Sequence, residues 1–301
     1  MTESLLNFEK FKHKIEQIKN LPTIPVVAFQ VMGIIADENS SIRDLEKIIS
    51  TDPPLTAKII KVANSTYYRT AKEITSLHMA LVILGMEEVR NIVFAVSLYS
   101  SFHKLNSSKY FLFEDFWKHS AGTGKVALAL AKYLKVKNEN SAFVSGLLHD
   151  IGRLILQSFF EEEYNKIYLR SLEQQKPLVE VEKELLGFTH QEVGLWLSQR
   201  WNIPKSISEV VGNHHFHSPD HLDYPDLVAV ISVADHITRI WGVSVEPLPR
   251  LEPLESMPAF QYLSDKYDKI NKIDWKKWAG LMDMELDEAE NFVRNINLIV
   301  G

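Results

Sequence analysis

The chain contains no cysteine. Disulfides, thiolate metal ligands and cysteine nucleophiles are excluded together, so any metal site has to be built from histidine, carboxylate and water. Long hydrophobic runs are missing too. The longest, Met79 to Met86 and Ile92 to Tyr99, have the length of core helices, well short of the roughly 18 residues that span a bilayer. The N-terminal stretch MTESLLNFEKFKHKIEQIKN carries charge throughout and has no apolar core, so neither a secretory signal nor membrane insertion is expected. Basic charge is not in excess: the formal net charge is −6 and Lys and Arg form no clustered stripe, which argues against nucleic acid as a partner. The expected location is the cytoplasm. What remains is the ordinary balance of a globular chain, 46% apolar and 24% charged over 301 residues, enough for a sizeable core and for one large domain or two.

Helical periodicity dominates. Phe8, Phe11, Ile15 and Ile18 recur at helical spacing, and Pro25 opens a second periodic stretch through Ile35. Ser41 with Asp44 reads as a capping box, and Pro53–Pro54 fits a helix start, where a missing N–H costs nothing. Gly85 breaks an apolar run, after which a helix reaches about Phe102. Residues 103–110 are polar and form a plausible boundary. The pattern then predicts helices from Phe116 to about Leu134, from Ser141 to Phe159, from Pro204 to near Gly212 and from Asp226 to Ile240. Thr189 and Glu192 form a second capping box, which places His190 in the first turn of its helix. The stretch 246–258 holds four prolines and reads as a linker or wrapped loop, followed by two amphipathic segments that end with Ala289, Phe292, Val293 and Ile296 at helical spacing.

The informative residues are histidines and aspartates. His149–Asp150 lies inside LLHDIGR and His214–His215 inside VVGNHHFH, while His119, His190 and Asp235 stand singly. Two strongly polar residues in the apolar segment Phe143–Ile155 are expected to be at least partly buried, and a buried carboxylate without a partner is very costly. A neighbouring cation removes that cost. Asp235, after the apolar run Val228–Val233, poses the same problem. His119, His149, Asp150, His190, His214, His215 and Asp235 are seven potential ligands, more than one tetrahedral ion uses, and suit two ions bridged by a carboxylate. Imidazole with carboxylate suits iron, manganese, cobalt, nickel or zinc. The residues alone leave a metal site and a hydrogen-bonded polar core both open. Gly122-Thr123-Gly124-Lys125 lacks the earlier glycine and the Ser/Thr of a phosphate loop and reads as small residues for close helix packing or as helix surface. His217 and His221 lie in a Pro-interrupted loop and read as solvated. His13, His78 and His103 have no partner pattern, and Phe188, Trp196 and Trp201 read as core.

LPTIPVVAFQVMGIIADENSSIRDLEKIISTDPPLTAKIIKVANSTYY and ITSLHMALVILGMEEVRNIV resemble the N-terminal half of an HDOD domain, and FWKHS, FVSGLLHDIGRLIL, GFTHQEVGLWLSQRWNIP and NHH its C-terminal half. The resemblance covers roughly residues 21–217 and, for HD-type enzymes, extends to Ala234–Asp235. It implies an all-α fold: a multi-helix HD-like bundle with an N-terminal helical bundle packed against it. The expected segments are 1–108 for the N-terminal half, 109–245 for the HD-like metal-binding half, and 246–301 for a Pro-rich linker and helical extension. HDOD domains are related to HD phosphohydrolases and to HD-GYP cyclic dinucleotide phosphodiesterases, and the resemblance implies a role in bacterial signal transduction.

The HD-GYP ligand pattern can be laid on this chain: His119, the pair His149–Asp150, His190, the pair His214–His215, and Asp235. Asp115 falls where some HD-GYP proteins place a Glu ligand, but reads more simply as an acidic residue near a helix start. Arg153 replaces the Lys that follows the HD pair and retains the charge to bind phosphate. The GYP loop is absent; FHSPDHLDYP follows His215. Two readings are implied. In the first, a signalling protein acts mainly through protein partners and its two metal ions, iron or manganese, are structural or sensory. In the second, a metal-dependent phosphohydrolase or phosphodiesterase acts on a nucleotide ligand, with Asp150 bridging the ions and Arg153 stabilising phosphate charge.

Overall fold

The computed structural model describes residues 8–18, 21–36, 40–65, 68, 72–103, 105, 110–246 and 252–300. The chain is all-α: no β-strand element occurs among the described residues, and none of their helices is long and apolar enough to cross a membrane. The chain forms two compact units, each discontinuous in sequence, where the sequence reading cut it into three consecutive pieces. One holds residues 1–21 and 105–283, the other 22–104 and 284–301.

Helix α1 (Phe8–Glu16) belongs to the first unit although it stands at the head of the segment read as 1–108. Its Phe11 is fully buried and packs on Phe160 and Phe188, with Trp196 edge-on to the same ring. The second unit is built from α2 (Val26–Ala36), α3 (Ile42–Ile49), α4 (Pro53–Ala63), α5 (Leu77–Leu84) and α6 (Met86–Phe102). Local chemistry sets these ends. Ser41 and Asp44 make the reciprocal capping box before α3, Pro53 is the first residue of α4, and Gly85, at φ +86°, separates α5 from α6. Helix α6 is apolar nearly all round, and α2, α3, α4 and α5 all pack on it. Much of the polar boundary at 103–110 and of the proline-rich stretch lies outside the described residues.

The first unit continues with α7 (Phe113–Leu134), α8 (Ala142–Leu148), α9 (Ile151–Phe159), α10 (Glu161–Gln174), α11 (Leu178–Leu186), α12 (His190–Arg200), α13 (Lys205–Asn213), α14 (Pro225–Ile240) and α15 (Pro258–Lys266). Helix α16 (Trp275–Val300) follows, its first residues in this unit and residues 284–300 in the other. Helix α7 is the spine, packed against α8 and α14, while α12 packs on α9 and α13. The single helix expected over Ser141–Phe159 is two: α8 stops at Leu148, His149 and Asp150 form a turn, and α9 restarts at Ile151. Asp150 stands at φ −99°, ψ 13°, and neither residue of the turn is a proline or glycine that would signal the break.

Candidate metal centre

Five segments of the first unit bring their polar residues to one point. His119 comes from the second turn of α7, and His149 and Asp150 from the α8–α9 turn. His190 is the first residue of α12, His214 and His215 follow α13, and Asp235 lies on α14. The start of α12 is pinned by the reciprocal Thr189–Glu192 box, in which the Thr189 backbone N–H donates to Glu192 at 2.7 Å. Close backbone approach does the rest. A Cβ on Gly152 would stand 2.0 Å from the His190 carbonyl oxygen, so only glycine lets α9 bring Asp150 against His190.

Asp150 is the hub. Its Oδ1 lies 3.3 Å from Nε2 of both His190 and His214. Its Oδ2 lies 3.5 Å from Nε2 of His149 and 3.9 Å from that of His119. Asp235 closes the second side, with Oδ1 3.0 Å from His119 Nε2 and 3.8 Å from His149 Nε2. Two donor groups result, His119 with His149 and Asp150, and His190 with His214 and His215, the ligand atoms within each lying no more than 4.8 Å apart.

The outer nitrogens show which way each ring is wired. Nδ1 of His119, His149 and His214 donates to the carbonyls of Val243 (2.9 Å), Gly146 (2.7 Å) and Val211 (3.1 Å). His190 Nδ1 lies 2.6 Å from the Glu182 carboxylate. A carbonyl only accepts, so these rings carry their proton on Nδ1 and direct Nε2 inward. This is the outer-sphere arrangement that orients metal-ligating imidazoles.

Two observations test the fit to cations. Nε2 of His190 stands 3.1 Å from Nε2 of His214, so two lone pairs face one another in a buried site, and Nε2 of His215 lies 3.2 Å from the same His190 atom. His149 Nε2 and Asp150 Oδ1 are buried without a hydrogen-bond partner among the described residues, a costly state for polar atoms unless something fills it. A cation in each donor group satisfies all of these atoms, and imidazole and carboxylate are the donors such ions take. The residues fit.

The electrostatics agree for His149, His190, His215 and the two aspartates. Burial outweighs the opposing carboxylates of Asp150 and Asp235 and pushes His149 down to about 4, and burial takes His190 and His215 well below the ordinary imidazole value, so these rings stay neutral ligands. Burial opposes ionisation of Asp150 and Asp235. Arg153 with the surrounding histidines overcomes it at Asp150, and at Asp235 the hydrogen bond to His119 and the charge of Arg239 do so, leaving both carboxyls well below their ordinary range. For His119, Asp235 outweighs burial and raises the ring.

Arg153, 3% exposed, lies against Asp150 (Nε to Oδ1, 3.2 Å) and pairs with Glu246 at 2.9 Å. Asp115 is not brought in: its side chain is half exposed, 3.7 Å from Lys118. His217 and His221 are exposed, and His78 pairs with Glu46 on the surface of the other unit. Beside His215 opens a cavity of about 590 Å³, walled by Phe216, Ser232, His236 and Arg239 and, from the C-terminal segment, by Glu246, Glu252 and Met257. That segment docks on α14, where Asp226 accepts from Tyr262, Lys266 and Tyr267.

Sequence reasoning missed Glu182, Glu246 and Arg239. Glu182 is fully buried and accepts from Tyr164 Oη (2.8 Å) and from the backbone N–H of His190 (2.8 Å) as well as its ring. A signal was there: Glu182 shares the buried stripe of α11 with Leu178, Val181 and Leu186. Nothing marks Glu246 in its proline-rich surroundings.

Comparison with known proteins follows the same lines. The HDOD domain model matches residues 21–217. An HDOD domain protein of unknown function from Geobacter sulfurreducens superposes with a TM-score of 0.79 at 23% identity, covering 92% of this chain and 96% of that one. A protein from Shewanella amazonensis SB2B, named as a candidate phosphohydrolase, gives a TM-score of 0.68 at 22% identity over 94% of this chain and 97% of the other. An uncharacterized protein of Treponema pallidum (strain Nichols) is 23% identical over 240 residues, 78% of this chain and 46% of that one, so the chain spans about half the length of this curated relative.

Proposed function

The chain belongs to the HDOD domain family, and from that premise we propose that its His–Asp cluster is a two-metal centre that hydrolyses a phosphate ester. The carrying observation is the placement of Asp150, whose two oxygens face two separate groups of imidazole nitrogens. A carboxylate in that position would serve both groups of donors. His119, His149, Asp235 and one Asp150 oxygen would hold the first; His190, His214, His215 and the other oxygen would hold the second, with iron or manganese suited to the mixed nitrogen and oxygen donors. When bound, such a pair supplies the positive charge that polarises a phosphoryl oxygen and makes water acidic enough to attack.

The chain's own residues do the rest. The outward hydrogen bonds fix the ring tautomers, and Arg153 holds Asp150 ionised and in place. The cavity beside His215 has room for a phosphate ester and keeps one face of the cluster reachable, as a catalytic rather than a closed structural site requires. The phosphohydrolase name carried by the Shewanella protein points the same way. The test is metal content of anaerobically purified protein together with hydrolysis of a nucleotide and cyclic-nucleotide panel in added manganese or iron, beside Asp150→Ala. About two equivalents of metal with turnover lost in the variant is the expected result; turnover no higher than the variant's sinks the enzymatic reading.

A second reading, signalling through a protein partner with the metals structural, is favoured by the exposed apolar side chains of the other unit, Val26 and Phe29 on α2 and Val82 and Ile83 on α5. Stoichiometric metal without turnover is the outcome that selects it.

A further inference from the structure

Next to the cluster, one carboxylate is clamped by two arginines. Glu246 Oε1 accepts from Arg153 Nη2 at 2.9 Å, and Oε2 accepts from Arg239 Nη2 at 2.6 Å. All three side chains are largely buried: 3% exposed for Arg153, 4% for Glu246 and 14% for Arg239. The arginines stand on helices, Arg153 on α9 and Arg239 on α14, whereas Glu246 arrives on the non-helical segment that follows Gly242, a residue at φ +82°. The clamp is therefore built into the fold and its occupant is carried by a loop.

The clamp has more donors than its occupant has oxygens. Arg239 Nε is buried without a hydrogen-bond partner among the described residues, and Arg153 Nε, although 3.2 Å from Asp150, is not aligned to donate to it. A carboxylate offers two oxygens on one edge. A phosphate group offers three or more, and guanidinium forks suit it. The surroundings point to a ligand as well. Glu246 lines the cavity of about 590 Å³ that runs past His215, Ser232 and His236. It also lines a second cavity, of about 190 Å³, walled by Tyr110, Asp115, Tyr168 and Ser244. Glu246 thus borders two cavities, and a side chain withdrawn from the arginines frees the volume it occupied between them.

We propose that Arg153 and Arg239 form an oxyanion subsite for the phosphate group of the ester, and that Glu246 fills it as an internal stand-in that a ligand must displace. This deepens the proposed function and rests on it for the identity of the ligand. Arg239 and Glu246 then set affinity: the arginine recruits the phosphate and the glutamate competes with it.

The experiment is calorimetric titration of inorganic phosphate into the full-length, metal-loaded chain and its variants, folding being checked by circular dichroism. Glu246→Ala is expected to bind phosphate at least tenfold more tightly than the parent chain. Adding Arg239→Gln to it is expected to remove that gain. Glu246→Gln, which keeps the side-chain volume, is expected to bind more tightly than the parent and decides the matter if the alanine variant does not fold. Unchanged phosphate affinity in a folded Glu246 variant, or a gain that survives loss of Arg239, overturns the subsite. Binding is read without turnover, so the two ideas fail separately. Arginine-dependent phosphate binding in a chain that hydrolyses nothing removes the enzyme and leaves the subsite. Ester hydrolysis in a chain indifferent to Glu246 does the reverse.

Discussion

Glu182 touches no solvent, yet its carboxylate takes a hydrogen bond from Tyr164 and two from His190, one from the backbone and one from the ring. Its contact with Nδ1 makes His190 a better inward donor. Glu182→Gln keeps the shape and weakens that polarisation, so metal affinity is expected to fall about 10–100-fold, read by competition with a chromophoric chelator. The same residue gives a pH signature. Burial, against the pull of Arg153, lifts its carboxyl from 4.5 to about 7. Between those values the native state holds a proton that the unfolded chain releases. The protonated carboxyl thus contributes stability that is fully present below 4.5 and lost as pH rises through 7, on the order of 3 kcal/mol. Glutamine does not titrate. In metal-free protein, Glu182→Gln should gain about that much stability relative to the parent between pH 5 and pH 8, measured by urea unfolding at both; a pH-independent difference would refute the assignment. Residues of this kind separate what can be read in a sequence from what cannot. The seven His and Asp positions stand out because polar residues interrupt apolar helices. Glu182 is camouflaged among Glu180 and Glu184, and only its phase with Leu178 and Val181 sets it apart. Glu246 meets its arginines only in the folded chain.

At the scale of elements, the site depends on helices whose backbones touch. A Cβ on Gly146 would lie 2.5 Å from Gly124 Cα, where α8 crosses α7, and one on Gly152 would meet the His190 carbonyl at 2.0 Å. These atoms are main chain and cannot step aside as a side-chain tip can. Gly152→Ala should therefore push α9 away from α12 and carry Asp150 off His190. Stability is expected to drop by about 3 kcal/mol, the upper part of the range for overpacking, and metal binding with it. Gly33→Ala, at a position where a Cβ meets nothing within 4 Å, serves as the control and should leave the urea midpoint no lower than in the parent. The Gly122–Lys125 run, which the sequence left open between packing and helix surface, is packing: Gly124 lies against Phe143. Most helix ends were legible because caps are local, as at Ser41, Pro53, Gly85 and Thr189. The α8–α9 break was not, since apolar residues run on both sides of His149–Asp150 and the polar side chains of the turn meet partners as far off as Asp235, 86 residues from His149.

On the whole-molecule scale, the chain has two compact units and only one of them holds the candidate centre. A metal that binds the native state and not the unfolded chain stabilises by mass action, about 2.7 kcal/mol at a hundredfold excess over the dissociation constant. The candidate ligands stand on α7, the α8–α9 turn, α12, the residues after α13, and α14, all in the unit of residues 105–283. Native-state hydrogen exchange should therefore show slower exchange on metal addition in those helices, with the amides around His149 and His190 most affected, since local opening there requires release of the ion. Amides of α2 to α6 belong to the other unit and have no ligand, so their exchange should change little. His149→Ala, which removes one donor and leaves Asp150 Oδ2 without its neighbour at 3.5 Å, should erase the difference between metal-loaded and chelator-treated protein in α7 and α14. Equal protection of both units would mean that they unfold as one cooperative body. Protection confined to α2–α6 would place the metal elsewhere and dissolve the two-metal assignment.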